Sequence, residues 1–171
     1  MDGCAGCSGP QDTRRGRHRS HRQDALLHSP RPYQPRCRSV GGRTMKLPTI
    51  DARFLNDSGI TYRTFDDGSG MCNVELLDFP LPQGLSTNKA NVLFRLSANY
   101  PDTPPDMWWL IPHLTTAAGT VIAATECQET FDGRVWQRWS RHLDAGAWRP
   151  GIDSLESYVR LLRSELSTAA A

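Results

Sequence analysis

Cys127 and His142 are the side chains of this chain best suited to covalent chemistry. A cysteine thiolate is a nucleophile and an acyl carrier, and an imidazole can take or give a proton near neutral pH. Between them runs Phe131-Asp132-Gly133-Arg134-Val135-Trp136-Gln137-Arg138-Trp139-Ser140-Arg141-His142, and Trp148-Arg149-Pro150-Gly151 follows. Guanidinium planes stack on indole faces, so Trp136, Arg138, Trp139, Arg141 and Trp148 make a candidate docking platform. The competing reading is a packing corner, with the indoles in the core and the arginines snorkelling over them. Were the block helical, Trp136 and Trp139 would share one side, three residues apart, with Arg138 and Arg141 on another.

The chemistry around Cys127 pulls in two directions. Cations supplied by Arg134, Arg138, Arg141 or His142 would favour its thiolate, whereas Glu126 and Glu129 beside it oppose that. A lone cysteine also serves as a small buried hydrophobe, the role expected for Cys72 within a strand. His142 could act as a general base or orient a leaving group; equally, it could be a structural histidine pinning its loop to the Trp148 corner. Ser140 has no visible relay for a serine hydrolase. Asp106, His113, Asp132 and His142 match no metal-ligand spacing, so no metal and no cofactor are expected.

These residues need a scaffold, and residues 45–171 read as one. Asp51 to Leu55 suggests a short helix stopped by Asn56-Asp57-Ser58-Gly59. Ile60 to Phe65 and Met71 to Leu77 read as paired strands around the turn cluster Asp66 to Gly70. Phe79-Pro80-Leu81-Pro82 should end the second strand, because proline supplies no ladder donor. A third strand begins at Asn88 or Lys89 with Val92, Phe94 and Leu96 on one face, and a fourth spans Asp106 to Ile111. The connections are too short for helical crossovers, so the strands form an antiparallel meander. Pro112 to Arg134 reads as irregular, a length that in a compact domain points to function or mobility. Asp153 and Glu156 form a capping-box-like start to a helix from about Ser154 to Leu166, whose stripe is Leu155, Tyr158, Val159, Leu162 and Leu166. The expected class is α+β, a four-stranded antiparallel meander with helical cover.

Residues 1–44 differ in kind. They hold nine Arg and three Asp, a net charge of +6, whereas the remaining residues sum to −4. Lacking Ile, Phe and Trp, this segment cannot bury enough surface to offset its ordering entropy, so a disordered tail is expected. A true start at Met45 is the competing explanation. Cys4-x-x-Cys7 with His18 and His21 resembles zinc spacing only loosely, because the histidines are too close and no hydrophobic residues separate the pairs. The basic tail would hold polyanions weakly, but the acidic domain works against a nucleic-acid partner. No apolar run is long enough to span a membrane, no signal sequence is visible, and an odd count of five cysteines fits a reducing compartment, so a cytoplasmic location is expected.

Tyr100-Pro101-Asp102-Thr103-Pro104-Pro105, a further strand, a long irregular stretch, Trp148-Arg149-Pro150 and a helix occur in the order of the ubiquitin-conjugating (UBC) fold. Trp-Gln-Arg-Trp-Ser-Arg-His and the short leading helix resemble most closely the prokaryotic conjugating-enzyme-like family E. The resemblance covers nearly all of residues 45–166. It implies a UBC-like fold and a bacterial ubiquitin-like system, with a ubiquitin-like protein and a ThiF-like adenylating enzyme as partners. It also implies a cysteine that carries the ubiquitin-like C-terminus as a thioester, near a His-Pro-Asn whose asparagine settles the oxyanion. Here Pro112-His113 stands in that place, and no Asn follows before Phe131. Counting from either motif lands near Ser140 or near Ala118 to Ile122, so Cys127 is the only cysteine in the region. Three roles stay open: a conjugating enzyme using Cys127 with His142 assisting, a non-catalytic UBC-like binding module, or a basic-tailed nucleic-acid accessory.

Overall fold

The computed structural model describes residues 46–171; the expectations for residues 1–44, including the Cys4/Cys7 and His18/His21 pattern, lie outside the described residues. Helix α1 (Thr49–Asp57) buries Leu55 and Asp51. It ends where Gly59 takes a positive φ of 66° and the Gly59 and Ile60 amides donate back to Asn56 and Leu55. That left-handed stop satisfies carbonyls which the helix would otherwise leave open. Strands β1 (Tyr62–Phe65), β2 (Cys72–Pro80), β3 (Lys89–Leu96) and β4 (Trp108–Ile111) form the antiparallel meander expected from their alternation.

The sheet has six strands rather than four, in the order β1-β2-β3-β4-β6-β5. The extra pair comes from the stretch read as irregular and from the tryptophan block: β5 (Gln128–Phe131) and β6 (Arg134–Trp139) form a hairpin. Asp132 and Gly133 turn it with φ of 51° and 68°. Positive φ at both central residues is the two-residue hairpin turn that Asp-Gly favours. The block is therefore a strand of period two, which puts Trp136 and Trp139 on opposite faces. β2 runs three residues beyond Leu77 and ends at Pro80, within the stretch expected to stop it. Beyond Leu76 that strand has no β1 neighbour, so Pro80 sits on an edge, and an irregularity between Leu76 and Phe79 resets the pairing.

The inner face holds the main core. Val74, Leu76, Val92, Phe94, Leu96, Trp108, Leu110 and Trp139 pack on α1 and on α2 (Leu155–Ala170). The buried residues of α2 are Leu155, Tyr158, Val159, Leu162 and Leu166, the stripe legible in the sequence. Each such side chain contributes roughly 1.5–3 kcal/mol by leaving water. The cap differs by one residue from expectation: Ser154 is the N-cap, its hydroxyl accepting from the Glu156 amide. Asp153 instead accepts from the backbone and side chain of Arg149 and from the Ser157 hydroxyl.

The outer face carries Asn73 and Glu75 of β2, Leu93 of β3 and Trp109 of β4, all buried although no helix among the described residues packs on them. The β5–β6 hairpin folds over this face instead. Trp136 packs with Leu93 and Trp109, and Phe131 and Phe65 close around them. Arg134 donates two hydrogen bonds to the Glu75 carboxylate at 2.8 and 2.6 Å, and Arg63 of β1 donates to the same group at 2.6 Å. Arg63 also reaches Asp132 in the hairpin turn at 2.6 Å. In a flat sheet β1 and β6 would lie roughly 19 Å apart, so this contact requires strong coiling.

Two outcomes follow from this packing. Burial pushes the Glu75 carboxyl up, but the hydrogen bonds and charges of Arg134 and Arg63 outweigh it and hold the group below its ordinary value. Its stabilisation is therefore complete above the ordinary glutamate range and is lost as pH falls through the folded-state value. Glu75→Gln should cost roughly 2 kcal/mol near neutral pH, discounted for the partly exposed arginines, and the gap from wild type should shrink in acid; urea midpoints across pH measure it. Gly84 has φ of 103°, and a Cβ there would lie 2.1 Å from the Ala170 carbonyl oxygen at the end of α2. Gly84→Ala should lower stability by about 1–2 kcal/mol in the same assay.

Candidate functional site

Cys127 lies exposed at the head of β5. Its carbonyl accepts from the Arg138 amide at 2.9 Å, which sets it beside β6 just before the regular ladder begins. The Arg138 guanidinium donates to Glu129 at 2.7 Å. It is held above its ordinary value first by that bond to Glu129 and next by the charge of the neighbouring Cys127. The following residue, Gln128, points the other way, with its amide nitrogen 3.4 Å from His113 Nδ1. Strand alternation thus sets the thiol toward Arg138 and the Gln128 amide toward His113. Glu129, second along the strand from Cys127, also accepts from the Trp109 indole at 3.0 Å.

The loop between His113 and Cys127 is tied down at several points. Gln137 of β6 bonds to the Leu114 amide and carbonyl and to the Thr125 hydroxyl. The Ala117 amide donates to the Gly84 carbonyl, and Thr115 and Ser86 exchange bonds. On the other flank the Arg141 guanidinium donates to the Ala123 carbonyl at 2.9 Å and to Glu165 of α2 at 2.8 Å, while lying over the Trp139 ring. Ala124 is held at a positive φ of 59°, and its carbonyl accepts from the Ser140 amide. The chain reaches Cys127 along a fixed path.

His142 belongs to a different corner. Its Nδ1 is 2.8 Å from an Asp106 carboxylate oxygen, and both side chains are well exposed, at 61% and 68%. No hydrogen bond or ion pair among the described residues joins His142 to Cys127. The arginines are largely committed too: Arg134 to Glu75, Arg138 to Glu129 and Arg141 to Glu165. Trp136 lies in the outer-face cluster and Trp139 in the main core. Trp148 donates its indole N–H to the Pro101 carbonyl at 2.8 Å, with its ring 6.2 Å from that of Tyr100. The Tyr100 hydroxyl donates to Asp51, which also accepts from the Leu155 amide at the start of α2. Two sequence motifs, Tyr-Pro and Trp-x-Pro, therefore meet in one corner with α1.

A match to the family described as prokaryotic E2 family E spans residues 47–169, well over half of the chain. The chain belongs to this family. No curated protein and no solved structure matches it. Membership in the E2-like family makes this a UBC-like protein and implies dealings with ubiquitin-like proteins and activating enzymes as a class. The family match covers α1, all six strands and nearly all of α2, so the β5–β6 hairpin and the Cys127 loop lie inside it.

Within this family-E fold, reasoning from sequence alone gave no role to Gln137 or Thr125 and read Glu129 only as an acid opposing the Cys127 thiolate, not as the partner of Arg138 and Trp109. Gln137 was visible only as the polar residue between Arg and Trp, and its inward direction needed the strand assignment. No helix among the described residues is long and apolar enough to cross a membrane, and no group of three His, Cys, Asp or Glu among them could hold a metal ion.

The arginines of the family-E block should differ sharply in weight. Arg141 joins three parts of the fold with its side chain mostly covered, whereas Arg149 pairs with Asp153 largely in water. Arg141→Ala should cost about 1–2 kcal/mol and Arg149→Ala less than about 0.5, compared by chemical denaturation.

Proposed function

We propose that this chain is the UBC-fold component of a bacterial ubiquitin-like conjugation system, accepting the C-terminus of a ubiquitin-like protein on Cys127 from a ThiF-like activating enzyme. The observation that carries this reading is an exposed thiol whose backbone carbonyl accepts from the Arg138 amide, at the end of a tied loop, in a chain of the E2-like family. The Cys127 thiolate attacks the thioester carbonyl of the charged activating enzyme. A new thioester forms on Cys127 as the carbonyl's bond to the enzyme's own sulfur breaks, and that sulfur leaves as a thiolate. Arg138 places positive charge beside the sulfur both when it attacks and when an acceptor later displaces it. His142 stands apart from that step, paired with Asp106 in another corner.

A second reading has specific support. No asparagine follows Pro112-His113, Arg138 is also engaged by Glu129, and His142 is paired with Asp106. These features favour a binding module that docks a ubiquitin-like protein or its activating enzyme without carrying it.

Incubation with the cognate activating enzyme, the ubiquitin-like protein and ATP separates the two. The carrier reading expects a reductant-sensitive adduct on a non-reducing gel that is abolished by Cys127→Ala, while Cys127→Ser accumulates a reductant-resistant ester or nothing. Absence of any Cys127 adduct, together with a complex that survives Cys127→Ala, would leave only the docking role.

A further inference from the structure

We propose that Gln137 is the positioning residue of the Cys127 site, fixing with one carboxamide both ends of the loop that runs from His113 to Cys127. The carrying part of this inference rests on the reading of Cys127 given above; the structural part does not. Gln137 lies in β6 and is 6% exposed. Its Oε1 accepts from the Leu114 amide at 2.8 Å and from the Trp139 indole at 3.1 Å. Its Nε2 donates to the Leu114 carbonyl at 3.0 Å and to the Thr125 hydroxyl at 3.2 Å. A primary amide offers two donor hydrogens and two acceptor lone pairs, and here all four are used. Thr125, itself 2% exposed, passes the chain on by donating to the Ile122 carbonyl at 2.7 Å.

The arrangement is more than a satisfied polar group. By bonding both the N–H and the C=O of Leu114, the side chain gives that residue what a neighbouring strand would give it. Leu114 is the residue after His113, and Thr125 lies two before Cys127. One buried amide therefore sets the departure of the loop from β4 and its arrival at β5. Its inward-facing neighbours, Leu110 and Trp139, are core residues, so burial there would favour an aliphatic side chain over an amide. A fully satisfied buried network in such a place specifies one arrangement of the groups that it joins. Those groups are the Leu114 backbone and the Thr125 hydroxyl, near the two ends of the loop that leads to Cys127.

The test uses the full chain with Gln137→Met, which keeps length without hydrogen bonding, and Thr125→Val, which removes a single partner. Amide hydrogen exchange is read at Leu114 and, as an internal reference, at Val92 in β3. Alkylation of Cys127 by iodoacetamide is followed on its own peptide by mass spectrometry, and charging by the activating enzyme is measured as separate kcat and KM. In Gln137→Met, Leu114 exchange should rise by about tenfold or more, the scale of one hydrogen bond's net worth, with Val92 unchanged. The Cys127 alkylation rate should shift severalfold, and charging kcat should fall by about tenfold with KM retained. Thr125→Val should move all three in the same direction by less. Unchanged alkylation and charging once Leu114 is freed would overturn the proposal. If Gln137→Met also loses Val92 protection, Thr125→Val decides alone, and wild-type behaviour there overturns it. Should wild type never be charged on Cys127, the carrier reading fails, while exchange and alkylation still decide the role of Gln137.

Discussion

A carboxylate taken wholly out of water is the constraint around which this domain closes. Glu75 sits in the middle of the sheet's outer face, and a buried charge of that kind is tolerated only with partners. Arg63 comes from the neighbouring strand, Asn91 from the next, and Arg134 from the hairpin at the far side of the sheet. Bringing Arg134 there forces the hairpin over the face, and that lays Trp136 across Leu93 and Trp109. The same fold-over fixes β6 against β4, so that Gln137 and Arg138 stand where the Cys127 loop returns. Charge pairing on one face of the sheet thereby fixes where the Cys127 loop meets its edge.

A second polar centre does comparable work at the opposite end. Asp51 accepts from the Tyr100 hydroxyl and the Leu155 amide, so one carboxylate joins α1, the β3–β4 connection and the start of α2. Burial pushes the Asp51 carboxyl up, and the bonds from Leu155 and Tyr100 offset this only in part. Trp148 completes the corner by bonding Pro101 and stacking near Tyr100 and Tyr158. Tyr-Pro and Trp-x-Pro are thus two halves of one joint. This explains Trp148 as packing rather than as an open docking surface.

The tryptophan-arginine ribbon has a similar resolution. Its indoles divide between two cores, and its guanidiniums lie over rings while bonding carboxylates: Arg134 over Trp136, Arg141 over Trp139. These contacts display the packing role weighed for the block, since a cation stacked on a ring can also bridge two chain segments. What the ribbon presents to solvent is narrower than its composition suggests. It offers Asp132, Gly133 and Val135 on the hairpin, His142 at its end and, at the loop it supports, the Cys127 thiol.

The elements with strong local periodicity were legible without coordinates. Four strands and the apolar stripe of α2 follow from the spacing of residues such as Val92, Phe94, Leu96, Leu155, Val159 and Leu162, because burial of one face is written directly into alternation. The Asp132-Gly133 turn was equally local, yet its flanking tryptophans three residues apart imitate a helix and masked the hairpin. The position of β6 between β4 and β5 was not local at all. It depends on Arg134 finding Glu75 and Trp136 finding Leu93, contacts between residues far apart in the chain. For the site, the sequence alone could name Cys127, His142 and the arginines by chemical type. Which of them stand together was decided by tertiary structure: Cys127 goes with Arg138, and His142 goes with Asp106. Gln137 became important only there, because whether an amide faces water or the backbone of a loop depends on which strands flank it.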